Sequence, residues 1–513
     1  MLRRPPLHYP DIPLHGLLDR AADRDPEAAA LFFGDETFTY RELDGLTNAL
    51  ANGLLEQGIG PGDRVAVAVT NRPEWIIAAY GISRTGASVV MPNPLWKELE
   101  FRHALELTRP RAVIADAEMA PTLAAAGAPP FRICVDPDGP AGWSSFWDLV
   151  YGSSGQRPPR LSSRLAETEA ALPFSSGTTG LPKAVRHSHR SIIAAIIKTK
   201  AALNIGSADR LQVFLPLFHI YGILIVGMAL DAGAPMRLFR RFDLDTMLRN
   251  IEDERVTIGF GAAPIAVAMA NHPNLEKYDL SSIRYFSWGA TPISPSVAEK
   301  VTQRSGVRWV PAYGTTEVPG MHCNPVDRPD RCRLDTPGLP DSDTEIDVVS
   351  LDDGRPVPPG EQGEIVVRGP DTMLGYLPEE ANADAFLPGG WFRTGDVGWV
   401  EPDGWIHLTD RAKEMLKVSA FQVAPVELEN VLRSHPGVAD CAVYGIPDER
   451  AGEVPKAAVV VRPEVAVTAD ELIGWVAERL ATYKHLRYVE FVSEIPRTPS
   501  GKVLRRILKE REG

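Results

Sequence analysis

Cysteine is scarce in this chain. Cys134, Cys323, Cys332 and Cys441 are widely spread and form no CxxC pair, which argues against a disulfide framework and against a zinc ribbon. His322 beside Cys323 offers half a metal site, but two further ligands at suitable spacing are missing. Positive charge is also short. The 54 Lys and Arg against 67 Asp and Glu leave a formal charge of -13, so attraction to phosphate backbones or anionic lipid cannot drive general binding to nucleic acid or membrane. An anionic substrate needs a local positive site. No apolar run reaches membrane-spanning length: the most apolar stretch, residues 214–230, carries Pro216, His219 and Gly222 and falls short of the roughly 20 residues required. It reads as a buried strand leading into a core helix. Prolines interrupt the N-terminal segment before any signal-length apolar run, and the C-terminal REG matches no peroxisomal or retention signal. The expectation is a cytoplasmic protein. No repeat at solenoid spacing is present.

What the chain does have is the composition of a globular enzyme, 44% hydrophobic and 24% charged over 513 residues, enough for several domains at roughly 100 to 200 residues each. From Phe38 onward helical spacing alternates with short β-branched runs: DRVAVAV, RAVIAD, FRICVD, RLQVFLP, APMRLF, VTIGFG and RYFSWG. Each is short enough for a buried strand, which predicts α/β construction. After Pro337 closely spaced strands and turns predict a small barrel or sheet. A basic cluster near Asp410 then precedes a helix opened by Pro425, and strands alternate with helices to the end. We place a boundary at Asp410, leaving about a hundred residues for a small α+β domain.

The segment LPFSSGTTGLPKAV gathers Ser175, Ser176, Gly177, Thr178, Thr179, Gly180 and Lys183. Glycines let backbone N–H groups converge on an anion, hydroxyls add donors or reach a metal, and the lysine supplies a point charge. The spacing fails the GxxxxGK[ST] pattern, so a Walker P-loop is excluded. Composition alone does not separate a phosphate cradle from a Ser/Gly linker.

Taken with PLFHIYG, AYGTTE, WFRTGD, DRAKEMLKVSAFQVAPVELE and PRTPSGK in that order, this string resembles the adenylate-forming superfamily of acyl-CoA ligases, luciferases and adenylation domains, and leans toward its 4-coumarate CoA ligase branch. The resemblance covers nearly the whole chain. It implies an α/β fold with a large N-terminal domain of stacked α/β sheets plus a small β-barrel, residues 1–410, and a smaller mobile α+β domain, residues 411–513. It also implies the chemistry: a carboxylate attacks the α-phosphorus of ATP to give acyl-AMP, and a thiol then displaces AMP. ATP, Mg2+ and coenzyme A are the implied cofactors. A carboxylic acid is the partner, with coenzyme A or a carrier protein as acceptor.

The roles it implies fall on individual residues. The loop from Ser175 to Lys183 holds the β- and γ-phosphates. Thr316 approaches the α-phosphate and Glu317 takes the magnesium, a hard ion suited to carboxylate oxygen. Tyr313, Gly314, Thr315, Gly289, Ala290 and Thr291 flank the nucleotide, while Asp396 accepts from the ribose hydroxyls, assisted by Arg411. His219 borders the acyl pocket, although a lone histidine in an apolar stretch otherwise reads as core. Lys502 bridges carboxylate and α-phosphate, although a terminal lysine otherwise reads as solvated. Lys417 and Gln422 face the reacting groups, and Asp410 is the hinge. The acyl pocket includes Tyr221, Phe260, Gly261, Ala262 and Ala263.

The chain departs from the pattern at three points. Ala184 stands where the family has glycine and would cost about 1 kcal/mol if the backbone needs positive φ. Ser419 and Ala420 replace lysine and glycine beside the thiol tunnel, which puts one half-reaction in doubt. Alanines 262 and 263 replace larger residues, predicting room for a bulky aromatic, alicyclic or terpenoid acid unless neighbouring side chains refill the space. Two other readings stay open: an enzyme of this fold performing one half-reaction, through a carrier protein or a preformed adenylate, and a non-catalytic nucleotide-binding protein.

Overall fold

The runs read as buried strands become parallel neighbours in two large sheets. In the first, Glu169–Ser175, Ser88–Met91, Arg64–Ala68, Ala112–Ala115, Phe131–Cys134 and Ser144–Ser145 lie side by side in parallel. Lys183–Ser188 and Gly375–Leu377 extend its Glu169–Ser175 edge antiparallel. In the second, Trp309–Tyr313, Tyr285–Trp288, Ile258–Gly261, Leu211–Val213, Met236–Leu238 and Ala29–Phe33 form the parallel centre. The computed structural model describes residues 4–159, 164–175, 182–289, 295–351, 353–411, 414–418, 421–448, 452–463, 465–480, 482–497 and 503–511.

One hydrophobic core joins the two sheets. The helices Pro73–Thr85, His189–Ala202 and Ile220–Ala232 share it with Val65 and Val67 of one sheet and Leu211, Val213 and Ile258 of the other. Pro73–Thr85 is buried at every position, as a helix sandwiched between layers must be. The stretch 214–230 becomes a loop and the buried helix Ile220–Ala232, entered from the strand Leu211–Val213. Among the described residues no helix is long and apolar enough to cross a membrane.

The β-rich unit after Pro337 is a five-stranded antiparallel sheet of Glu345–Val349, Gly363–Arg368, Phe386–Leu387, Trp391–Val400 and Ile406–Arg411. Asp410 and Arg411 close its last strand, opposite Val397 and Asp396. The next described strand, Leu416–Val418, belongs to a separate sheet with Phe421–Val423, Gly452–Val461, Val438–Asp448 and Tyr488–Phe491. That smaller unit has its own core, in which Leu428, Leu432, Leu472 and Val476 of two helices cover Val443, Ala457 and Val459.

Candidate active site

The phosphate-loop string connects two antiparallel strands. Ser175 pairs with Lys183 and Phe174 with Ala184, so the two ends of the string lie side by side on antiparallel strands. These ends are pinned twice: Trp96 meets Phe174 edge to face at 5.0 Å, and His103 Nε2 donates to the Pro182 carbonyl at 2.9 Å. Ala184 is fully buried in this strand, and its φ is not among the positive values of the chain. The strain considered for it is absent because the position is extended sheet, open to any residue. Ser176, Gly177, Thr178, Thr179 and Gly180 lie outside the described residues, as do Ala290, Thr291, Ser419, Ala420 and Lys502.

The strand Gly375–Leu377 adds to Lys183–Ser188 with Tyr376 opposite Val185. This places the Tyr376 ring 4.9 Å from Lys183 Nζ, a cation–π contact, while its hydroxyl donates to Glu317 Oε1 at 2.8 Å. One tyrosine thus links the loop's cation to the carboxylate expected on magnesium. Glu317 is only 8% exposed and lines the cleft. A buried, oriented carboxylate is a fitting hard ligand for that ion.

Glu317 sits on a turn that folds back tightly. Thr315 N donates to the Val318 carbonyl at 3.1 Å, and Val318 N returns a bond to Thr315 Oγ1 at 3.1 Å. Gly314 is required here, since a Cβ would stand 2.0 Å from the Pro319 carbonyl oxygen. Two distant segments, the strand of His187 and residues 371–373, hold the turn. His187 Nε2 donates to the Thr316 carbonyl at 2.8 Å. Met373 N donates to the Glu317 carbonyl at 2.9 Å. Asp371, paired with Lys198 Nζ at 2.5 Å with both side chains fully buried, accepts from Gly320 N at 3.0 Å.

Asp396 accepts from the Tyr313 hydroxyl at 2.5 Å, so the residue expected beside adenine orients the one expected on ribose. Arg411 is its cross-strand neighbour in the backbone register, and Lys417 and Gln422 oppose each other likewise. The side chains of Asp410, Arg411, Lys417 and Gln422 fall outside the described set. His219 caps the helix Ile220–Ala232: its Nδ1 accepts from Tyr221 N at 3.2 Å, which leaves Nε2 carrying the proton in the neutral ring. Burial pushes this imidazole down to about 4, against the pull of Glu317. It is neutral near pH 7, suited to orienting a carboxylate through one N–H.

These groups face one cleft of about 2160 Å³, lined by Ser175, Lys183, His219, Tyr221, Gly289, Tyr313, Glu317 and Asp396. Of the expected acyl-pocket residues, Tyr221 and Ala263 line it, whereas Phe260, Gly261 and Ala262 do not. Phe260 stands edge to face with Tyr221 at 6.0 Å, and a Cβ on Gly261 would meet the Trp309 ring at 3.2 Å. Aromatic rings thus pack around Phe260 and Gly261, while Ala263 faces the cleft. From the smaller unit, Arg497, Val503 and Arg505 also line the cleft. Arg497 and Val503, which flank Lys502 in the sequence, pair with each other. Arg497 is anchored on Asp440 at 2.7 Å and Arg505 on Glu429 at 2.7 Å.

His103, His187, Tyr376, Lys198 and Asp371 were not singled out from the sequence.

The arrangement matches known proteins along the whole chain. The model of the AMP-binding enzyme family fits residues 18–377, and that of the AMP-binding enzyme C-terminal domain fits residues 427–502. Feruloyl-CoA synthase of Amycolatopsis sp is 35% identical over 96% of this chain and 98% of its own length. The 4-coumarate–CoA ligase 1 of Petroselinum crispum is 33% identical over 99% and 95%. Among solved structures, the anthranilate CoA ligase AuaEII in complex with anthranoyl-AMP superposes with a TM-score of 0.89 at 27% identity, over 98% of this chain and 97% of that one. Motifs brought to one cleft, and relatives matched through both units, lead to one conclusion: the chain belongs to the AMP-binding enzyme family.

Proposed function

We propose that the chain joins a bulky aromatic or alicyclic carboxylic acid to coenzyme A through an acyl-adenylate. An ATP-dependent acid-thiol ligase is what the CoA synthase and ligase relatives support; the acid and the residue roles are the proposal. The observation that carries it is the convergence of Ser175, Lys183, Glu317, Asp396 and His219 on one cleft.

In the first step a carboxylate oxygen forms a bond to the α-phosphorus of ATP, and the bond to the bridging oxygen of pyrophosphate breaks. No enzyme nucleophile is needed; the demand is for in-line positioning and charge neutralisation. Lys183 and the loop before it meet the β- and γ-phosphates. Glu317, held by Tyr376, is the magnesium ligand, and the ion when bound supplies further neutralisation of phosphate charge. Asp396 fixes the ribose. The neutral His219 N–H orients the acid's carboxylate, and Lys502 bridges it to the α-phosphate as negative charge builds. In the second step the thiol sulfur bonds to the acyl carbonyl carbon and AMP leaves.

Incubation of the protein with a panel of acids, ATP, Mg2+ and coenzyme A, read by mass spectrometry, tests this. Bulky aromatic or alicyclic acids are expected to give both acyl-AMP and acyl-CoA. Preference for small planar cinnamates over every bulkier acid would sink the choice of acid.

A further inference from the structure

The strand Lys183–Ser188 sends its two faces to different places. Ala184 belongs to the core that Phe174 and Leu377 pack against, while Val185 joins a separate cluster with Val318, Met373 and Tyr376. Side chains alternate along a strand, so Lys183, Val185 and His187 share the second face. That face is applied to the turn 313–320 and meets three successive residues of it. His187 Nε2 donates to the Thr316 carbonyl at 2.8 Å, the Tyr376 hydroxyl donates to Glu317, and Val185 shares its cluster with Val318.

The His187 bond falls where it decides most. The Thr316 carbonyl and the Glu317 N–H are the two ends of one peptide plane, so a donor held on the carbonyl sets the rotation of the peptide that joins the two residues. The next peptide is set by Met373 N, which donates to the Glu317 carbonyl at 2.9 Å. Glu317 is thus fixed on both sides of its Cα, and Tyr376 fixes its carboxylate. Of the two peptide anchors, only His187 is a side chain.

A histidine at this position needs a reason. It is fully buried, where an aliphatic residue would pack without giving up hydrogen bonds to water. It does not line the cleft, and both its nitrogens are engaged within the protein. A carbonyl only accepts, so Nε2 carries the proton. Burial keeps the ring neutral, pushing its pKa down against the pull of Thr316, Asp371 and Glu317, and Nδ1 then accepts from the Ser191 hydroxyl at 3.1 Å. Ser191, in the first turn of the helix His189–Ala202, thereby fixes the tautomer that donates to Thr316.

We propose that His187 is a positioning residue for the adenylation step: through the Thr316–Glu317 peptide it sets both residues against the triphosphate that Lys183, on the same strand face, also meets. This deepens the ligase reading above and rests on it for the parts played by Thr316, Glu317 and Lys183. The donor on the carbonyl is what matters, not the ring that fills the core.

Three substitutions separate that role from packing. In His187→Gln the amide nitrogen stands near the place of Nε2 and can donate to Thr316; in His187→Asn it stands near Nδ1 and reaches Ser191 instead; His187→Leu does neither. Binding of α,β-methylene-ATP with Mg2+ is measured by calorimetry, with adenosine, which lacks phosphates, as the reference for an intact fold. Acid-dependent pyrophosphate exchange is followed separately. His187→Leu and His187→Asn are expected to bind the analogue about 10-fold more weakly and to lower kcat for exchange about 100-fold, the scale of a small misplacement of reacting groups. Adenosine binding and the KM of the acid should stay within about twofold, and His187→Gln should recover analogue binding and exchange to within about threefold of wild type. Analogue binding and exchange undiminished in His187→Leu, His187→Gln no better than His187→Asn, or adenosine binding that falls in step with the analogue would overturn the proposal. The expected binding pattern without exchange by wild type on any acid would leave the positioning role standing and count against the ligase reading alone.

Discussion

Tyr376 carries more of the site than its place outside every motif indicates. Its ring receives the Lys183 ammonium and its hydroxyl bonds Glu317, so it holds a cation and an anion of the cleft in register. Neither charge is left to wander in the cleft. Tyr376→Phe keeps the ring and removes one hydrogen bond to a charged group, a loss of about 1.5 to 3 kcal/mol. The expected result is a fall of about 10- to 100-fold in kcat/KM for ATP with little change in fold, checked by steady-state kinetics and circular dichroism. An unchanged value would mean that Glu317 is oriented by other contacts.

At the scale of elements, the turn 313–320 is the piece on which the site depends, and it is held from outside itself. The buried Lys198–Asp371 pair joins the helix His189–Ala202 to the segment before Gly375 and, through Gly320 N, to the end of the turn. Removing one member of a buried pair leaves the other charge uncompensated, so Lys198→Met should destabilise the protein by about 3 to 5 kcal/mol. Adding Asp371→Leu should restore much of this. Denaturant unfolding of the single and double variants measures both. The strands beneath the turn were legible in the sequence because short β-branched runs bounded by turns have few other uses: VTIGFG became Ile258–Gly261 and RYFSWG became Tyr285–Trp288. The motifs marked Lys183, Glu317, Asp396 and His219, all of which reach the cleft. What joins them was not legible. Tyr376 and Glu317 are 59 residues apart, and Lys198 and Asp371 173, so no local pattern records their meeting. How far the acyl wall opens was not legible for a related reason: what stands behind Gly261 depends on Trp309, supplied by a strand beyond its neighbour.

For the whole molecule, several titratable groups are buried uncharged, and this sets its response to acid. His187, His189 and His322 are almost fully enclosed; burial lowers all three, His189 to about 4 and His322 to about 3, from 6.5. Below 6.5 the unfolded chain takes up protons that the folded one refuses, so stability is lost as pH falls. Each histidine contributes about 1.4 kcal/mol per pH unit down to its folded value. Asp341, raised to about 6 by burial, acts in the opposite sense between that value and 3.8, one group against five, since burial also lowers His15 to about 3 and His219 to about 4. Thermal midpoints measured from pH 7.5 to 4.5 should therefore be level above 6.5 and drop steeply below it. A flat profile would contradict the burial of these rings.

The two units together make a single machine if Lys502, bracketed in the sequence by anchored Arg497 and Arg505, serves the same cleft as Lys183 and Glu317. The most direct measurement assays the two half-reactions apart: acid-dependent exchange of labelled pyrophosphate into ATP, and thioester formation from supplied acyl-AMP with coenzyme A, for wild type and Lys502→Ala. The account predicts both activities in wild type, and in the variant a loss of exchange of 100-fold or more, roughly the scale of removing one electrostatic stabiliser, with thioester formation largely retained. Pyrophosphate exchange undiminished in Lys502→Ala, or absent from wild type with every acid that forms the thioester from its adenylate, would contradict it.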